Sequence, residues 1–137
     1  MQKHQSGLHI YVPITQRYAY DRTRSFAEII GKIIISRFPK KVTIEWNTIK
    51  RKGKIFFDYN QNSRGKTIAS VYSVKPILSA TVSMPVSWNK LDDIRPTDFT
   101  LKTVPTLTRR KKDEWEGVLK NKQDLGKILS TVKEMKV

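Results

Sequence analysis

The chain has 137 residues, with 27 Lys or Arg against 12 Asp or Glu, so its formal net charge is +15. It contains no cysteine, which excludes a disulfide scaffold, a thiolate zinc site and a thiol nucleophile. Its longest apolar cluster, residues 29–35, is interrupted by Gly31 and Lys32, so no segment is long enough to span a bilayer. The charge predicts a polyanionic partner, most commonly nucleic acid, although a merely basic protein is the simpler alternative.

The first half of the chain predicts a strand, a long helix and a hairpin. In residues 8–12 the aliphatic side chains of Leu8, Ile10 and Val12 alternate with His9 and Tyr11, as in a half-buried strand. Residues 21–38 carry apolar side chains at helical spacing, and three polar residues are alternative N-caps: Asp21, Thr23 and Ser25. Residues 42–46 and 55–59 also alternate, and the basic turn 50–53 between them indicates a β-hairpin.

The second half predicts shorter elements and a C-terminal helix. Residues 67–72 fit either a short helix or a strand, residues 80–86 alternate as a strand does, and residues 88–94 indicate one helical turn. A strand is predicted over residues 99–104. An apolar helical stripe is predicted from Trp115 to Met135, with an interruption near Gly126.

These elements predict an α+β or mixed α/β domain. About five strands accompany two substantial helices without strict alternation, which argues against a doubly wound nucleotide-binding fold. The sequence contains neither a Gly-x-Gly-x-x-Gly fingerprint nor a P-loop.

Asp58 is the carboxylate that the sequence singles out, because it lies in a predicted strand made otherwise of Ile, Phe and Tyr. A carboxylate in such a strand costs free energy unless it is paired or binds a cation. The alternative is a strand-end Asp that faces solvent or caps the following Asn-rich loop. Likewise, His9 could contact a phosphate or act as an acid, or could be a half-buried strand histidine.

Basic side chains concentrate between residues 40 and 66, where eight of them accompany only two acids. Lys66, Arg51 and Lys75 together could bind an anion, whereas a run of charge is more often a solvated face. Like charges at this density require either exposure to solvent or a compensating partner.

Several strings, in this order, resemble the polymerase domain of bacterial and archaeal DNA ligase D, the primase-polymerase module of non-homologous end joining. They are SGLHIYVPI (6–14), FDYNQN (57–62), RGKTIA (64–69), YSV (72–74), DFTLKTVP (98–105) and Trp115. They extend over nearly the whole chain, and the Gly-Leu-His and Asp-Tyr-Asn-Gln-Asn blocks together are specific. The resemblance implies an α+β fold with a mixed, mainly antiparallel sheet flanked by helices, like the C-terminal, RRM-like half of such a catalytic domain.

The resemblance also implies a nucleotidyltransferase that binds a nucleoside triphosphate and DNA ends, with three carboxylates holding two Mg²⁺ or Mn²⁺ ions. Asp58 matches the third carboxylate, and so is the implied catalytic and metal-binding residue. His9 matches the histidine that contacts the triphosphate, and Arg51 and Gln61 match positions lining the nucleotide and primer-terminus site. Lys75 stands where the family usually has Arg, so it keeps the charge and loses the bidentate fork. The side chains expected to bind nucleic acid are Lys50, Lys52, Lys54, Arg64 and Lys66.

The family's upstream Asp-x-Asp metal motif has no counterpart before His9, since none of the eight preceding residues is Asp or Glu. The family's Ser-Gly pair does not match in register either, because Lys3 stands at the serine position. We therefore expect a single partial primase-polymerase-like domain over residues 1–137 that is catalytically incomplete alone, because one carboxylate does not bridge two hard cations. A separate polypeptide could supply the missing half, alongside a DNA ligase and Ku.

Two alternatives follow from the same residues. The chain could be a non-catalytic basic module for nucleic-acid binding or assembly, or a degenerate remnant whose exposed sheet self-associates into a homo-oligomer. In every case we expect no membrane partner, and the start of the chain leads into a predicted strand without room for a signal peptide. The expected location is the cytoplasm, in association with the nucleoid.

Overall fold

The computed structural model describes residues 7–110, 113–118 and 120–134. Within them the chain forms an α+β arrangement of three α-helices, two short strands and three 3₁₀ helices. The elements are α1 (Tyr20–Arg37), β1 (Val42–Thr43), β2 (Ile55–Phe56), α2 (Val104–Arg110) and α3 (Leu125–Glu134), with 3₁₀ helices at Asn60–Asn62, Trp88–Asp93 and Pro96–Asp98. Among the described residues, no helix has both the length and the apolar character that crossing a bilayer requires.

The chain divides into two compact units. The first unit contains the described residues up to Pro13 together with those of 69–122, and the second contains 14–68 together with those from Gln123 onward. Each unit is therefore built from two separate stretches of the chain. The first unit carries α2 and the 3₁₀ helices that precede it, and the second carries α1, both strands, the 3₁₀ helix after β2, and α3.

The long helix predicted over residues 21–38 is confirmed, since α1 begins and ends within one residue of it. The N-caps predicted for it are wrong, because α1 begins after Ala19, whose side chain makes no capping bond. Asp21, Thr23 and Ser25 all lie inside the helix. There the Thr23 hydroxyl donates to the Ala19 carbonyl at 3.2 Å, and the Asp21 charge suits the positive end of the helix dipole.

β1 and β2 pair in parallel, with Val42 opposite Ile55, so the predicted hairpin is wrong. The Phe57 N–H continues the ladder by donating to the Thr43 carbonyl at 2.8 Å. The connecting residues 44–54 carry the chain back to the same end of the pair, whereas a hairpin reverses the chain in a short turn. The mainly antiparallel sheet is not found either, because antiparallel pairing in the described part of the chain is confined to isolated bridges.

β1 ends after two residues because its last side chain and those that follow it bond to nearby backbone groups. Thr43 Oγ1 accepts the Glu45 N–H at 3.0 Å, and the Glu45 carboxylate accepts the Asn47 N–H at 3.0 Å. Asn47 Oδ1 then accepts the Ile49 N–H at 3.0 Å. Such bonds turn the backbone locally instead of extending the ladder, so the strand predicted over residues 42–46 ends at Thr43.

Gly31 lies where α1 packs against the residues that directly follow the two strands. It is buried, and a Cβ atom at this position would lie 2.9 Å from the Phe57 ring and 3.4 Å from the Ile44 side chain. Because side chains alternate between the two faces of a strand, Phe57 marks the face covered by α1 and Phe56 lies on the opposite face. α1 therefore fixes the chain that leads from β2 to Asp58.

α3 forms only the last part of the helical stripe predicted from Trp115 to Met135, and Met135 lies outside the described residues. Residues 115–118 form a turn instead. Leu125, which is 1 % exposed, begins α3 and is buried in the second unit. Gly126 lies within the first turn of α3 and does not interrupt it.

The first unit is built on isolated antiparallel bridges around a small core. The bridges join Val74 with Val82 and Thr81 with Thr100. The buried side chains are Thr81, Val82 and Val104. The strand predicted over 80–86 is therefore reduced to two paired residues, and the one predicted over 99–104 to Thr100, because α2 begins at Val104.

The stretch 8–12 does not form the predicted strand, and its apolar side chains remain more than half exposed, at 55 % for Leu8, 59 % for Ile10 and 51 % for Val12. An alternating pattern forms a strand only where a partner accepts and donates its backbone hydrogen bonds, and no described residue pairs with this stretch. Residues 67–72 likewise form neither the helix nor the strand predicted for them. The helical turn predicted over 88–94 is confirmed as a 3₁₀ helix.

Candidate functional site

Asp58 follows β2 by two residues and is exposed to solvent. One of its carboxylate oxygens accepts the Asn60 N–H at 3.1 Å, which starts the 3₁₀ helix and ends the strand predicted over residues 55–59. Of the two interpretations offered for Asp58, the structure shows the second: the side chain faces solvent and caps the Asn-rich loop. A carboxylate has about four acceptor positions, so this one bond leaves room for a cation or a donor from solvent.

The described residues contain no group of three or more His, Cys, Asp or Glu side chains that could hold a metal ion together. Mg²⁺ and Mn²⁺ are hard cations that need several oxygen ligands, and Asp58 offers one exposed carboxylate. The side chains in this part of the chain therefore do not fit a complete two-metal centre. The Mg²⁺ or Mn²⁺ implied by the resemblance stays a prediction.

Arg51 lies at the end of the connection between the strands, with its guanidinium carbon 4.2 Å from the centre of the Phe56 ring. The Trp46 ring lies 5.3 Å from the same Phe56 ring, with 67° between the two planes. The Arg51 N–H also donates to the Asn47 carbonyl at 3.3 Å, which holds the turn closed. Arg51 is thus held on the face of the strands opposite α1.

Gln61 lies in the 3₁₀ helix Asn60–Asn62, and its side-chain amide donates to the Thr67 carbonyl. This bond closes a short loop that contains two of the basic residues predicted to bind nucleic acid, Arg64 and Lys66. Both are exposed, so their charges face solvent.

The basic turn between the strands presents the other predicted nucleic-acid ligands, Lys50, Lys52 and Lys54, all of which are exposed. Gly53 has a φ of +75°, a backbone conformation that glycine adopts without strain and that lets the turn close. The Lys54 ammonium donates to the Pro39 carbonyl at 2.8 Å. Lys50 and Lys52 have no ion pair with any described side chain, so their charges remain available to an anion.

His9 and Lys75 belong to the first unit. His9 is exposed, and its ring lies 6.3 Å from that of Tyr11. Tyr11 is anchored by a 3.0 Å bond from its hydroxyl to the Ala69 carbonyl and by an edge contact with Trp115 at 4.9 Å. These contacts position the chain around His9, although it forms no strand.

Lys75 directly follows the bridge at Val74, and its N–H donates to the Thr81 carbonyl at 2.7 Å. Its side chain is half-buried. The five residues predicted for catalysis and nucleotide binding are therefore divided between the units. The first unit holds His9 and Lys75, and the second holds Arg51, Asp58 and Gln61.

Tyr72 is a residue of the YSV string whose role sequence reasoning missed. Its backbone has a φ of +60°, and its hydroxyl donates to the Asp113 carboxylate. Burial and this bond raise the pKa of Tyr72 to about 12, while the same bond lowers the pKa of Asp113. Asp113 also accepts the Trp115 N–H at 2.9 Å.

The strings that resemble the ligase D polymerase domain lie within a family match that covers most of the chain. Residues 5–115 match the sequence profile of the family described as LigD, primase-polymerase domain. The chain belongs to this family. The matched span contains His9, Arg51, Asp58, Gln61 and Lys75.

Several relatives of this LigD primase-polymerase chain are recognised by sequence and by structure. The bifunctional non-homologous end joining protein LigD of Bacillus subtilis is 30 % identical over 132 residues. The multifunctional non-homologous end joining protein LigD of Pseudomonas aeruginosa is 32 % identical over 100 residues. The polymerase domain of Mycobacterium tuberculosis Ligase D, solved in complex with DNA, superposes with a TM-score of 0.73 at 26 % identity.

The chain spans only part of these LigD proteins. The matches cover 93 % of this chain and 22 % of the Bacillus protein, and 72 % of this chain and 12 % of the Pseudomonas protein. The structural match covers 81 % of this chain and 39 % of the Mycobacterium domain.

Proposed function

We propose that this chain provides a nucleotide- and DNA-end-binding part of a primase-polymerase that acts in non-homologous end joining. The match of residues 5–115 to the LigD primase-polymerase family carries the proposal. The relatives are end-joining proteins by name, and the structural neighbour is a polymerase domain in complex with DNA.

The proposed roles follow from the chemistry of each side chain. The exposed His9 imidazole can donate a hydrogen bond to a triphosphate oxygen, and the Lys75 ammonium can neutralise charge as a point cation. Arg51 and Gln61 carry planar donor groups, which suit the positioning of a nucleotide or a primer end. Asp58 supplies one carboxylate to a divalent cation when further ligands come from elsewhere.

Nucleotide titration tests the proposal. We expect the chain to bind a fluorescently labelled nucleoside triphosphate in the presence of Mn²⁺, and His9→Ala and Lys75→Ala to weaken that binding. Lys75→Arg should retain binding, because Arg restores the bidentate fork for phosphate. Lys102→Ala is the matched control, since Lys102 is an exposed lysine of the same unit. Absence of binding, or binding that is indifferent to both alanine variants, would contradict the proposal.

We also infer that a polypeptide of these 137 residues does not extend primers on its own, because its described residues hold no three-group metal cluster. The partners we propose are a separate polypeptide that contributes further carboxylates, together with a DNA ligase and Ku. Robust Mn²⁺-dependent extension by the purified chain, abolished in Asp58→Ala, would overturn this inference. Light scattering would show in the same preparation whether the chain forms a homo-oligomer.

A second candidate function is a non-catalytic module that binds nucleic acid through its basic side chains. Two observations favour it: Asp58 serves as a cap, and the predicted nucleic-acid ligands are exposed. It predicts DNA binding that weakens with salt, because each neutralised phosphate releases counterions, and that is unchanged in Asp58→Ala. A loss of DNA affinity in Asp58→Ala would favour the polymerase-type site instead.

A further inference from the structure

We propose that Trp46, Phe56 and Arg51 form a stacking site for an unpaired nucleobase of single-stranded DNA. The proposal rests on the proposed function in one respect, since it takes DNA as the polyanionic partner. It adds a residue, Trp46, that lies in none of the strings resembling the polymerase family and that the roles above leave without a function. We call these three residues the aromatic cluster.

The aromatic cluster is already assembled around Phe56. Trp46 is 55 % exposed, and its ring centre lies 5.3 Å from that of Phe56. The Arg51 guanidinium carbon lies 4.2 Å from the centre of the same Phe56 ring. A large ring that is both exposed and held by a neighbour gives up little conformational freedom when a base stacks on it. The indole therefore provides a surface that is prepared for stacking.

The position of the aromatic cluster leaves space for a base. Phe57 packs towards Gly31 of α1, so Phe56 lies on the face of the strands that α1 does not cover. Trp46 also borders an open cleft of about 580 Å³, but that cleft lies on the α1 side: its other walls are Lys32, Ile35 and Ser36 of α1 and residues 43–45, and neither Phe56 nor Arg51 lines it. The base is therefore expected on the exposed part of the indole, outside this cleft.

The charges around the aromatic cluster select the ligand. Lys50 and Lys52 are exposed on the turn next to Arg51 and have no ion pair among the described side chains. The acid of the cleft, Glu45, accepts the Asn47 N–H at 3.0 Å and disfavours a phosphate on its own side. The sugar–phosphate backbone is thus expected along the lysines and the base against Trp46. Cations beside an exposed aromatic ring are the combination that binds single strands without sequence preference.

Removing the indole tests the proposal. The affinity of the full chain is measured for a labelled single-stranded oligonucleotide and for a blunt duplex of the same sequence, over a range of salt concentrations. We expect Trp46→Ala to weaken single-strand binding by about 5- to 150-fold, the range for loss of one base–aromatic stack. Duplex affinity should change by less than about twofold, because paired bases do not reach the indole.

Two comparisons separate stacking from charge. Trp88→Ala is the matched control, because Trp88 is 69 % exposed in the first unit, and we expect it to leave both affinities unchanged. Lys50→Ala should instead lower the slope of log affinity against log salt by about 0.7, the value for one phosphate contact on a single strand. Trp46→Ala should leave that slope unchanged, since stacking releases no counterions.

Three outcomes would overturn the stacking site. Single-strand binding within twofold of wild type in both Trp46→Ala and Trp46→Leu overturns the stacking site and leaves the proposed function standing. An equal loss for single strand and duplex in folded Trp46→Leu also overturns it, and would indicate a surface for duplex DNA or an acidic protein segment. If the wild-type chain binds neither form of DNA at low salt, the stacking site and the DNA-binding part of the proposed function both fail.

Discussion

Gly31 shows at the scale of one residue how sequence and packing oppose each other. A glycine inside a helix costs about 1 kcal/mol relative to alanine, so propensity alone favours replacing it. The Phe57 ring occupies the space next to Gly31, however, and an added Cβ would lie 2.9 Å from it. Ring carbons this close must move, and overpacking of a core typically costs about 1–3 kcal/mol.

We therefore expect Gly31→Ala to lower the free energy of unfolding by on the order of 1 kcal/mol, despite the gain in helix propensity. Urea denaturation followed by circular dichroism measures the change. In the background of Phe57→Leu, which removes the facing ring, the same substitution should be neutral or stabilising. An equal loss in both backgrounds would mean that the Phe57 contact is not the cause.

Asp58 marks how far single residues could be predicted. The sequence allowed two interpretations of Asp58: a buried charge that needs a cation, or a cap for the Asn-rich loop. The 3.1 Å bond from the Asn60 N–H to the Asp58 carboxylate supports the cap. The choice was open because the alternating pattern of residues 55–59 does not reveal where pairing stops. Trp46 and Phe56 belonged to predicted strands, but their contact depends on the path of the connection between them, which no local pattern specifies.

At the scale of elements, the long helix, which local hydrogen bonds form, was predicted correctly, and the pairing between distant residues was not. α1 was predicted within one residue because helical bonds are local and its apolar spacing is repeated along its length. The direction of β2 relative to β1 was not, because pairing depends on how residues 44–54 return the chain. The stretch 8–12 has the pattern of a strand but lacks a described partner, so pattern alone overpredicted it.

The start of α3 is joined to the residues before α1 by a polar lock. The Asp124 carboxylate accepts bonds from the Tyr18 hydroxyl and the Arg17 guanidinium, and it caps α3 by accepting the Gly126 N–H at 2.9 Å. The bonds from Tyr18 and Arg17 hold the pKa of Asp124 well below its usual range. A lowered carboxyl pKa means that the folded state favours the charged form of Asp124.

The lock should therefore stabilise the protein above the ordinary aspartate pKa of about 3.9 and lose its effect as the pH falls below that value. We expect Asp124→Asn to lower the denaturation midpoint at pH 7, and the gap between wild type and variant to shrink steadily below about pH 4. Urea titrations from pH 7 to pH 3 measure the gap. Asp92→Asn, which replaces an exposed carboxylate elsewhere, is the control. A gap that does not depend on pH would show that capping geometry, and not charge, carries the effect.

At the scale of the whole molecule, the predicted elements indicated the α+β class, the net charge predicted a polyanionic partner, and the matching strings predicted the family. The arrangement of the site residues could not be predicted, because His9 and Lys75 lie in one compact unit and Arg51, Asp58 and Gln61 in the other. Each unit is built from two distant stretches of the chain. Which residues belong to a unit therefore depends on contacts between residues that are far apart in sequence.

The net charge of +15 makes a last prediction about the free chain. Ion pairs such as Lys32–Glu28 at 2.8 Å lie at the surface and contribute little. The excess of 15 positive charges, by contrast, repels itself in the folded state. At about 0.1 M salt the Debye length is about 10 Å, so added salt screens this repulsion. We expect the melting temperature to rise as NaCl increases from low concentration, by roughly 4 °C for each 1 kcal/mol of repulsion removed. A variant with glutamine in place of Lys50, Lys52, Lys66 and Lys102 should melt higher than wild type at low salt and respond less to NaCl. A melting temperature that falls with salt would mean that attractive pairs outweigh the excess charge.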